Sequence, residues 1–236
     1  MRLDFANERV LATVAHPDDA ELLCAGTLAR AQADGAAIGI AVLCQGDKGQ
    51  PPQPIPRLGA VRRSEMTAAA KLLGAELFVA RVPDGLLVDD RPTRLRLTEI
   101  CRRFRPSLVL AHAPQDYHPD HRAASALAEA ASWYCAARGH ETQSSALPVS
   151  PALWWMDTVA MSGFEPGFYV DISEFMSLKE NMLGCHRSQT GRSTDSSFAP
   201  LLALMRQQAG ARGAQAGVTA AEAFRAHHVF KRTRAW

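Results

Sequence analysis

The sequence lacks any closely spaced pair of cysteines. Its five cysteines are odd in number and widely dispersed, at Cys24, Cys44, Cys101, Cys135 and Cys185. Without a Cys-x-x-Cys pair or an even set, neither a thiolate zinc site nor a disulfide framework is expected. We therefore expect free, at least partly buried thiols in a protein of the reducing cytoplasm.

Long apolar runs and a strong charge of one sign are also missing. No stretch is long and apolar enough to span a bilayer, and residues 1–9 carry charges of both signs, which is atypical of a signal peptide. The net charge is only +2, and no basic stripe is interleaved with aromatic residues, which argues against nucleic-acid binding. The composition, 47% apolar and 21% charged over 236 residues, is typical of a large globular domain.

Buried strands and amphipathic helices alternate through the first two thirds of the chain. Apolar runs predict strands at 9–15, 37–43, 76–80, 107–112, 152–157 and 168–172. Helical spacing predicts helices at 21–34, 58–74, 93–104 and 122–137. The pattern predicts a Rossmann-like α/β fold, with a doubly wound, mostly parallel sheet in the order 3-2-1-4-5 and added strands.

The last third of the sequence indicates an extension of this domain. A capping-box pattern at 171–174 opens a helix that runs to about Cys185. Beyond Pro200 we expect a helix, a break at 210–217 and a last helix at 219–226. We divide the chain into a domain at 1–198 and a helical extension at 199–236 that packs on it. Since Trp154 and Trp155 alternate on a strand, at most one of them is expected in the core.

Two polar clusters stand where buried strands end. The first strand leads into His16, Asp18 and Asp19, and the fourth leads into the run His-Pro-Asp-His at 118–121. In the order 3-2-1-4-5 these two strands are neighbours, and ligands bind outside their carboxyl ends. A dinucleotide would require Gly-x-Gly-x-x-Gly after the first strand, where this chain has two aspartates that repel phosphate. The topology therefore predicts one shared polar site, and not a nucleotide site.

Imidazoles and carboxylates in this combination suit Zn²⁺, with one ion per chain, although another divalent metal is possible. We predict His16, Asp19 and His121 as the metal ligands and a water in the open position. Asp18 is the candidate general base, while His118 would stabilise the oxyanion and Asp120 would orient an imidazole. These parts suffice to hydrolyse an amide.

The motifs together resemble the PIG-L/LmbE family of zinc-dependent de-N-acetylases. The motifs are Ala-His-Pro-Asp-Asp-x-Glu at 15–21, Gly-Thr-Leu at 26–28, Gly-Asp-Lys-Gly at 46–49, Arg-x-x-Glu at 62–65, Leu-Gly at 73–74, His-Pro-Asp-His at 118–121 and His-x-Ser-Gln at 186–189. The resemblance implies the ligands and the base named above, with Arg62 and Asp84 as substrate contacts. It also implies small-molecule substrates of the N-acetylglucosamine type, and Cys24 stands where many members have Gly.

Three functions are compatible with this sequence. The first is removal of an N-acetyl group from an amino sugar or glycoconjugate, in a protein that could form a homo-oligomer. The second is cleavage of a larger acyl or thiol-conjugate amide, and the third is carbohydrate binding without catalysis. Simpler structural interpretations also stand: Arg62 could pair with Glu65 along a helix, Glu21 could favour the start of the first helix, and Asp84 could be a turn residue. His112 is interpreted as structural.

Overall fold

The computed structural model describes residues 4–192, 195 and 200–229, and it is built on one seven-stranded sheet. The strands are β1 Arg9–Val14, β2 Ala37–Cys44, β3 Glu76–Val82, β4 Leu108–His112, β5 Ala152–Met156, β6 Phe168–Asp171 and β7 Ala221–Ala226. Their order is β3-β2-β1-β4-β5-β7-β6. The first five strands run parallel, whereas β7 is antiparallel to both β5 and β6. This confirms the predicted Rossmann-like sheet.

Helices cover both faces of the sheet. They are α1 Asp19–Leu23, α2 Ala25–Ala33, α3 Leu58–Leu73, α4 Arg91–Phe104, α5 Pro119–Tyr134, α6 Met176–Gly184, α7 Arg187–Thr190 and α8 Leu201–Ala216, with a 3-10 turn at Ser173–Phe175. One apolar core joins the sheet to α2, α3, α6 and α8, and a second joins its other face to α4 and α5. Within the part of the chain described here, no helix has the length and apolarity needed to cross a membrane.

The expectation that only one of two adjacent tryptophans is buried is wrong. Trp154 lies in one core and Trp155 in the other, and both are almost completely buried. The reason is that β5 is an interior strand, so that both of its faces are covered.

The predicted last helix at 219–226 is also wrong, because this segment is the strand β7. It lies between β5 and β6, where its backbone completes two ladders and Phe224 is fully buried. The helix before it is not broken at 210, and α8 continues to Ala216 and ends at Gly217, whose φ is +73°. The helical propensity of an Ala-rich segment is small beside the burial and pairing that the sheet offers.

The first predicted helix is divided in two. Cys24, with φ at −146°, separates α1 from α2. The amides of Gly26 and Thr27 at the start of α2 donate to the carboxylate of Glu222 in β7, at 2.9 and 2.7 Å. Glu222 also binds the ammonium of the buried Lys179 at 2.5 Å. The last strand therefore caps the helix that follows the first polar cluster.

Candidate metal centre

The loop after β1 is held in an unusual backbone conformation. Asp18 has φ at +97°, a region that non-glycine residues rarely adopt and that is frequent at functional sites. The amide of His16 donates to Asp19 Oδ2 at 2.7 Å, which closes the turn. The carboxylate of Asp18 lies 2.9 Å from the guanidinium of Arg62 in α3, and Arg62 also donates to Pro17 O. The tight turn thus presents His16, Asp18 and Asp19 together.

The second loop opens α5. His118 is the N-cap residue, and its Nδ1 accepts a hydrogen bond from the amide of Asp120 at 3.1 Å. Pro119 occupies the first helical position, where its fixed φ suits the helix and its missing N–H costs nothing. As a result, His118, Asp120 and His121 lie within the first helical turn and face the loop after β1.

Three residues of the two loops bring their ligand atoms together: one nitrogen from each imidazole and the two oxygens of Asp19. Nδ1 of His16 lies 3.3 Å from Nε2 of His121, and these nitrogens lie 3.5 and 3.4 Å from the two oxygens of Asp19, respectively. Ligands about 2.1 Å from a tetrahedral zinc ion are separated by about 3.4 Å. Each imidazole nitrogen therefore lies at a spacing that suits zinc ligands, both from the other nitrogen and from one oxygen of Asp19. His118 also belongs to a group that could hold a metal ion, together with His16 and His121.

A carboxylate faces the second nitrogen of each imidazole. Nε2 of His16 is 3.0 Å from Asp120 Oδ2, and Nδ1 of His121 is 3.0 Å from Asp116 Oδ1. Such hydrogen bonds fix the tautomer and the orientation of metal-binding histidines. Asp116 was not predicted from the sequence. The only available signal was a carboxylate two residues before His118.

The electrostatics show that this cluster attracts positive charge. Burial disfavours a charged imidazole, but hydrogen bonds to Asp120 and Asp19 raise the pKa of His16 to about 10. Burial likewise opposes the charge of His121, whereas Asp19 and Asp116 raise its pKa to about 9. The nearby imidazoles hold the pKa of Asp19 well below its usual range in spite of its burial. In the metal-free protein, protons therefore supply the positive charge that a cation would bring.

His112, at the end of β4, packs against the buried side of the cluster. It is fully buried, its ring stacks on that of His121 at 4.0 Å and 16°, and its Nε2 accepts a hydrogen bond from the amide of Ala15 at 3.1 Å. Nε2 is also 3.3 Å from Asp19 Oδ2, and His112, Asp19 and His121 form another candidate group. Because the amide of Ala15 occupies the lone pair of Nε2, His112 is better placed to hold the His121 ring than to bind metal.

Two further residues have environments suited to proton transfer. Burial raises the pKa of Asp18, although the charge of Arg62 acts in the opposite direction. Burial and the charges of His16 and His121 lower the pKa of His118. Since Nδ1 of His118 accepts a hydrogen bond, its neutral ring carries the proton on Nε2.

The interpretation of Arg62 as the partner of Glu65 is wrong, because Arg62 binds Asp18 and Glu65 accepts hydrogen bonds from Ser188.

An open cleft of about 380 Å³ lies over these residues. Asp84 lines it, but its carboxylate accepts hydrogen bonds from the amides of Gly46 and Lys48, at 2.7 and 3.1 Å. Glu21 lies in the first turn of α1 as predicted, and its carboxylate also faces the buried His186 at 3.3 Å. Tyr117 also lines the cleft and is 62% exposed.

The His/Asp cluster lies at the ends of β1 and β4, where the strand order of the doubly wound sheet reverses. This is the position at which α/β proteins of this class bind their ligands. Residues 11–132 match the PIG-L family model, described as GlcNAc-PI de-N-acetylase. This match covers more than half of the 236 residues, and the chain belongs to that family.

The chain is similar to enzymes of two kinds. The chain is 26% identical to 4-oxalmesaconate hydratase of Pseudomonas putida, over 76% of this chain and 73% of that protein. It is also 26% identical to diacetylchitobiose deacetylase of Thermococcus kodakarensis, over 77% of this chain and 70% of that protein. Among solved structures, the conserved protein TT1542 of Thermus thermophilus is similar with 32% identity and a TM-score of 0.80, over 97% of this chain and all of that one.

Proposed function

We propose that this protein is a zinc-dependent hydrolase that removes an N-acetyl group from an amino sugar or glycoconjugate. The observation that carries the proposal is the convergence of His16, Asp19 and His121 at spacings that suit zinc ligands, with the buried Asp18 beside them. A zinc ion held by these three residues would acidify a bound water and polarise the acyl oxygen. Family membership and the deacetylase among the relatives support this assignment.

The remaining residues take roles that follow from their contacts. Asp18 accepts a proton from the attacking water and later delivers it to the leaving amine, and burial favours this role because it brings the pKa nearer to neutrality. Nε2–H of His118 donates to the oxyanion. Asp120 keeps His16 in one tautomer through its 3.0 Å contact with Nε2. Arg62 orients the carboxylate of Asp18.

Substrate binding is assigned to the open cleft. Arg62 and Asp84 both line it, and we retain them as substrate contacts. For Asp84 the support is indirect, because its carboxylate holds the backbone of residues 46–48 at the edge of the cleft. The expected partner is a small amino-sugar compound. A cytoplasmic location and a homo-oligomer remain predictions.

A hydratase is the second candidate function, since a relative with 26% identity is named as one. Such an enzyme adds water to a carbon–carbon double bond and releases no acetate. The same base and the same metal could serve either reaction, so that only the substrate that is turned over distinguishes the two functions. Hydrolysis of a larger acyl or thiol-conjugate amide, and carbohydrate binding without turnover, are further outcomes of the same test.

The experiment combines zinc analysis with acetate release from a panel of N-acetylated sugars. Wild type is expected to hold one zinc ion per chain and to release acetate. Asp18→Asn should keep zinc and lose about 10²- to 10⁴-fold in kcat, as expected for a lost general base. Asp171→Asn is the matched control, because Asp171 is an exposed carboxylate at the end of β6 that accepts hydrogen bonds from the amide and hydroxyl of the nearby Ser173.

The outcomes separate the alternatives. A protein that binds no divalent metal after reconstitution would overturn the metal centre. Zinc binding without acetate release would overturn the deacetylase. In that case, turnover of a carboxylated diene would identify a hydratase, turnover of larger amides would identify an amidase, and sugar binding that Asp18→Asn leaves unchanged would identify a binding protein.

A further inference from the structure

We propose that Cys44 and Asp120, together with the outer nitrogen of His16, form a second cation position, which takes a thiophilic divalent ion and inhibits the enzyme. The site adjoins the centre formed by His16, Asp19 and His121 but uses other atoms. The inhibition rests on the proposed function, whereas the binding of the ion does not.

The geometry provides three donors of suitable chemistry. A ring nitrogen of His16, Sγ of Cys44 and a carboxylate oxygen of Asp120 all lie within 4.8 Å of one another. Cys44 ends β2, and its amide donates to Ala15 O at 2.7 Å, which fixes the thiol beside His16. The donors come from the ends of two paired strands and the first turn of α5, so that their spacing is set by the main chain.

The two nitrogens of His16 point in different directions. Nδ1 faces His121 and Asp19, while Nε2 faces Asp120 at 3.0 Å. An ion between Nε2, Asp120 and Cys44 would therefore share the imidazole of His16 with the first centre. Its binding would release the proton of the Cys44 thiol and the proton between His16 and Asp120, both to solvent.

The charges around the site favour a second cation. Five carboxylates line the cleft or contact its imidazoles: Asp18, Asp19, Asp84, Asp116 and Asp120. Against them stand the buried guanidinium of Arg62 and one divalent ion in the first centre, since the other cations of the lining are already paired, Lys48 with Asp47 and Arg192 with Asp195. Two negative charges remain uncompensated. Burial, together with the charges of Asp120, Asp84 and Asp19, raises the pKa of Cys44, so that a free thiolate is disfavoured and a bound cation is needed to replace its proton.

The identity of the ion follows from the ligands. Thiolate selects Zn²⁺ and Cd²⁺ over Mg²⁺, Ca²⁺ and Mn²⁺, which prefer oxygen. Occupation would remove the hydrogen bond between His16 and Asp120 that orients a ligand of the first centre. The loss of such an outer hydrogen bond weakens metal sites and activity by about 10- to 100-fold. Excess zinc or cadmium should therefore inhibit, and Mg²⁺ or Mn²⁺ should not.

The test titrates Cd²⁺ into the zinc-loaded protein and follows the ultraviolet absorption of cadmium bound to thiolate. Wild type should develop this band up to one cadmium per chain and should retain its zinc after desalting. Cys44→Ser should lose the band and bind cadmium at least about tenfold more weakly. Cys185→Ser is the matched control, because Cys185 is a half-buried thiol that donates to Asn181 O and belongs to none of the candidate metal-binding groups among the described residues, and it should behave as wild type.

Several results would overturn the proposal. They are the absence of the band in wild type, its persistence in Cys44→Ser, and replacement of zinc by cadmium without any thiolate signal. ¹¹³Cd NMR of the zinc-loaded wild-type protein with one equivalent of ¹¹³Cd²⁺ provides a measurement that needs no variant: a single resonance is expected, shifted downfield by sulfur. Acetate release, normalised for each variant to its cadmium-free rate, then tests inhibition separately from binding.

Discussion

Replacing Asp116 by Asn is the most direct test of how the metal centre is supported. Oδ1 of Asp116 accepts hydrogen bonds from Nδ1 of His121 and from the amide of His118, both at 3.0 Å, and the residue is 2% exposed. Asn keeps the shape and one acceptor oxygen but removes the charge. The His121 ring therefore stays in place while its basicity falls.

The expected loss in zinc affinity follows from the removal of this single charge. Removal of an outer partner of a metal-binding histidine costs about 10- to 100-fold in metal affinity. This corresponds to about 1.4–2.8 kcal/mol. Because the carbonyl of Asn still accepts the two hydrogen bonds, we expect a value near the lower limit for Asp116→Asn and one near the upper limit for Asp116→Ala.

The assay is competition for zinc with a chromophoric chelator at one fixed pH, with folding checked by circular dichroism. Asp90→Asn is a suitable control, because Asp90 caps the distant helix α4 and lies at the surface. Zinc affinity within twofold of wild type for both Asp116 variants would refute the reasoning, since His121 would then need no carboxylate. Equal losses in the Asp90 control would show a general effect of charge.

Two further predictions concern stability. Glu222→Ala should lower the free energy of unfolding by about 3–5 kcal/mol, because it leaves the ammonium of Lys179 buried without its partner and uncaps α2, and urea denaturation measures this loss. The metal-free protein should lose stability as the pH rises from about 6.5 to 10. The pKa values of His16 and His121 are raised to about 10 and about 9, so their contribution to stability is fully present below the unfolded pKa of about 6.5 and is lost as the pH rises through the two folded pKa values. Denaturation of chelator-treated protein across this range measures the effect.

Each stability prediction has a clear counter-result. For the first, Glu180→Ala breaks an exposed ion pair with Arg206 and should cost at most about 1 kcal/mol. A similar small cost for Glu222→Ala would show that the buried pair contributes little. For the second, stability of the metal-free protein that stays constant or rises between pH 6.5 and 10 would contradict the assigned protonation of the two imidazoles.

The position of the candidate site could be predicted because it depends on topology. His16 and His121 follow neighbouring parallel strands, and the carboxyl ends of such strands meet at one edge whatever the loops do. The contributions of His112 and Asp116 could not be predicted in this way. Whether a histidine at a strand end stacks on a ligand or faces solvent depends on side-chain directions, which the sequence pattern does not contain.

The strand β7 shows a different limit. The segment Ala221–Ala226 alternates small and larger residues weakly, and Ala and Glu favour a helix in isolation. Its conformation is decided by the gap between β5 and β6, which only the folded sheet provides. Local propensity differences are a fraction of a kcal/mol per residue, whereas burial of Phe224 alone is worth roughly 1.5–3 kcal/mol.

The parts of the chain outside the family match also hold the centre in place. The proposed ligands all lie within residues 11–132, yet α1 and α2, which follow the first loop, are anchored by later residues. Lys179 donates to Leu22 O at 2.8 Å, Glu222 caps α2, and His186 faces Glu21. These contacts fix the positions of α1 and α2. The loop before α1, in which Asp18 has a left-handed backbone conformation, therefore cannot change its conformation without breaking buried polar interactions. The C-terminal third therefore contributes to the geometry of the centre through the helices behind it, although it supplies none of the proposed ligands.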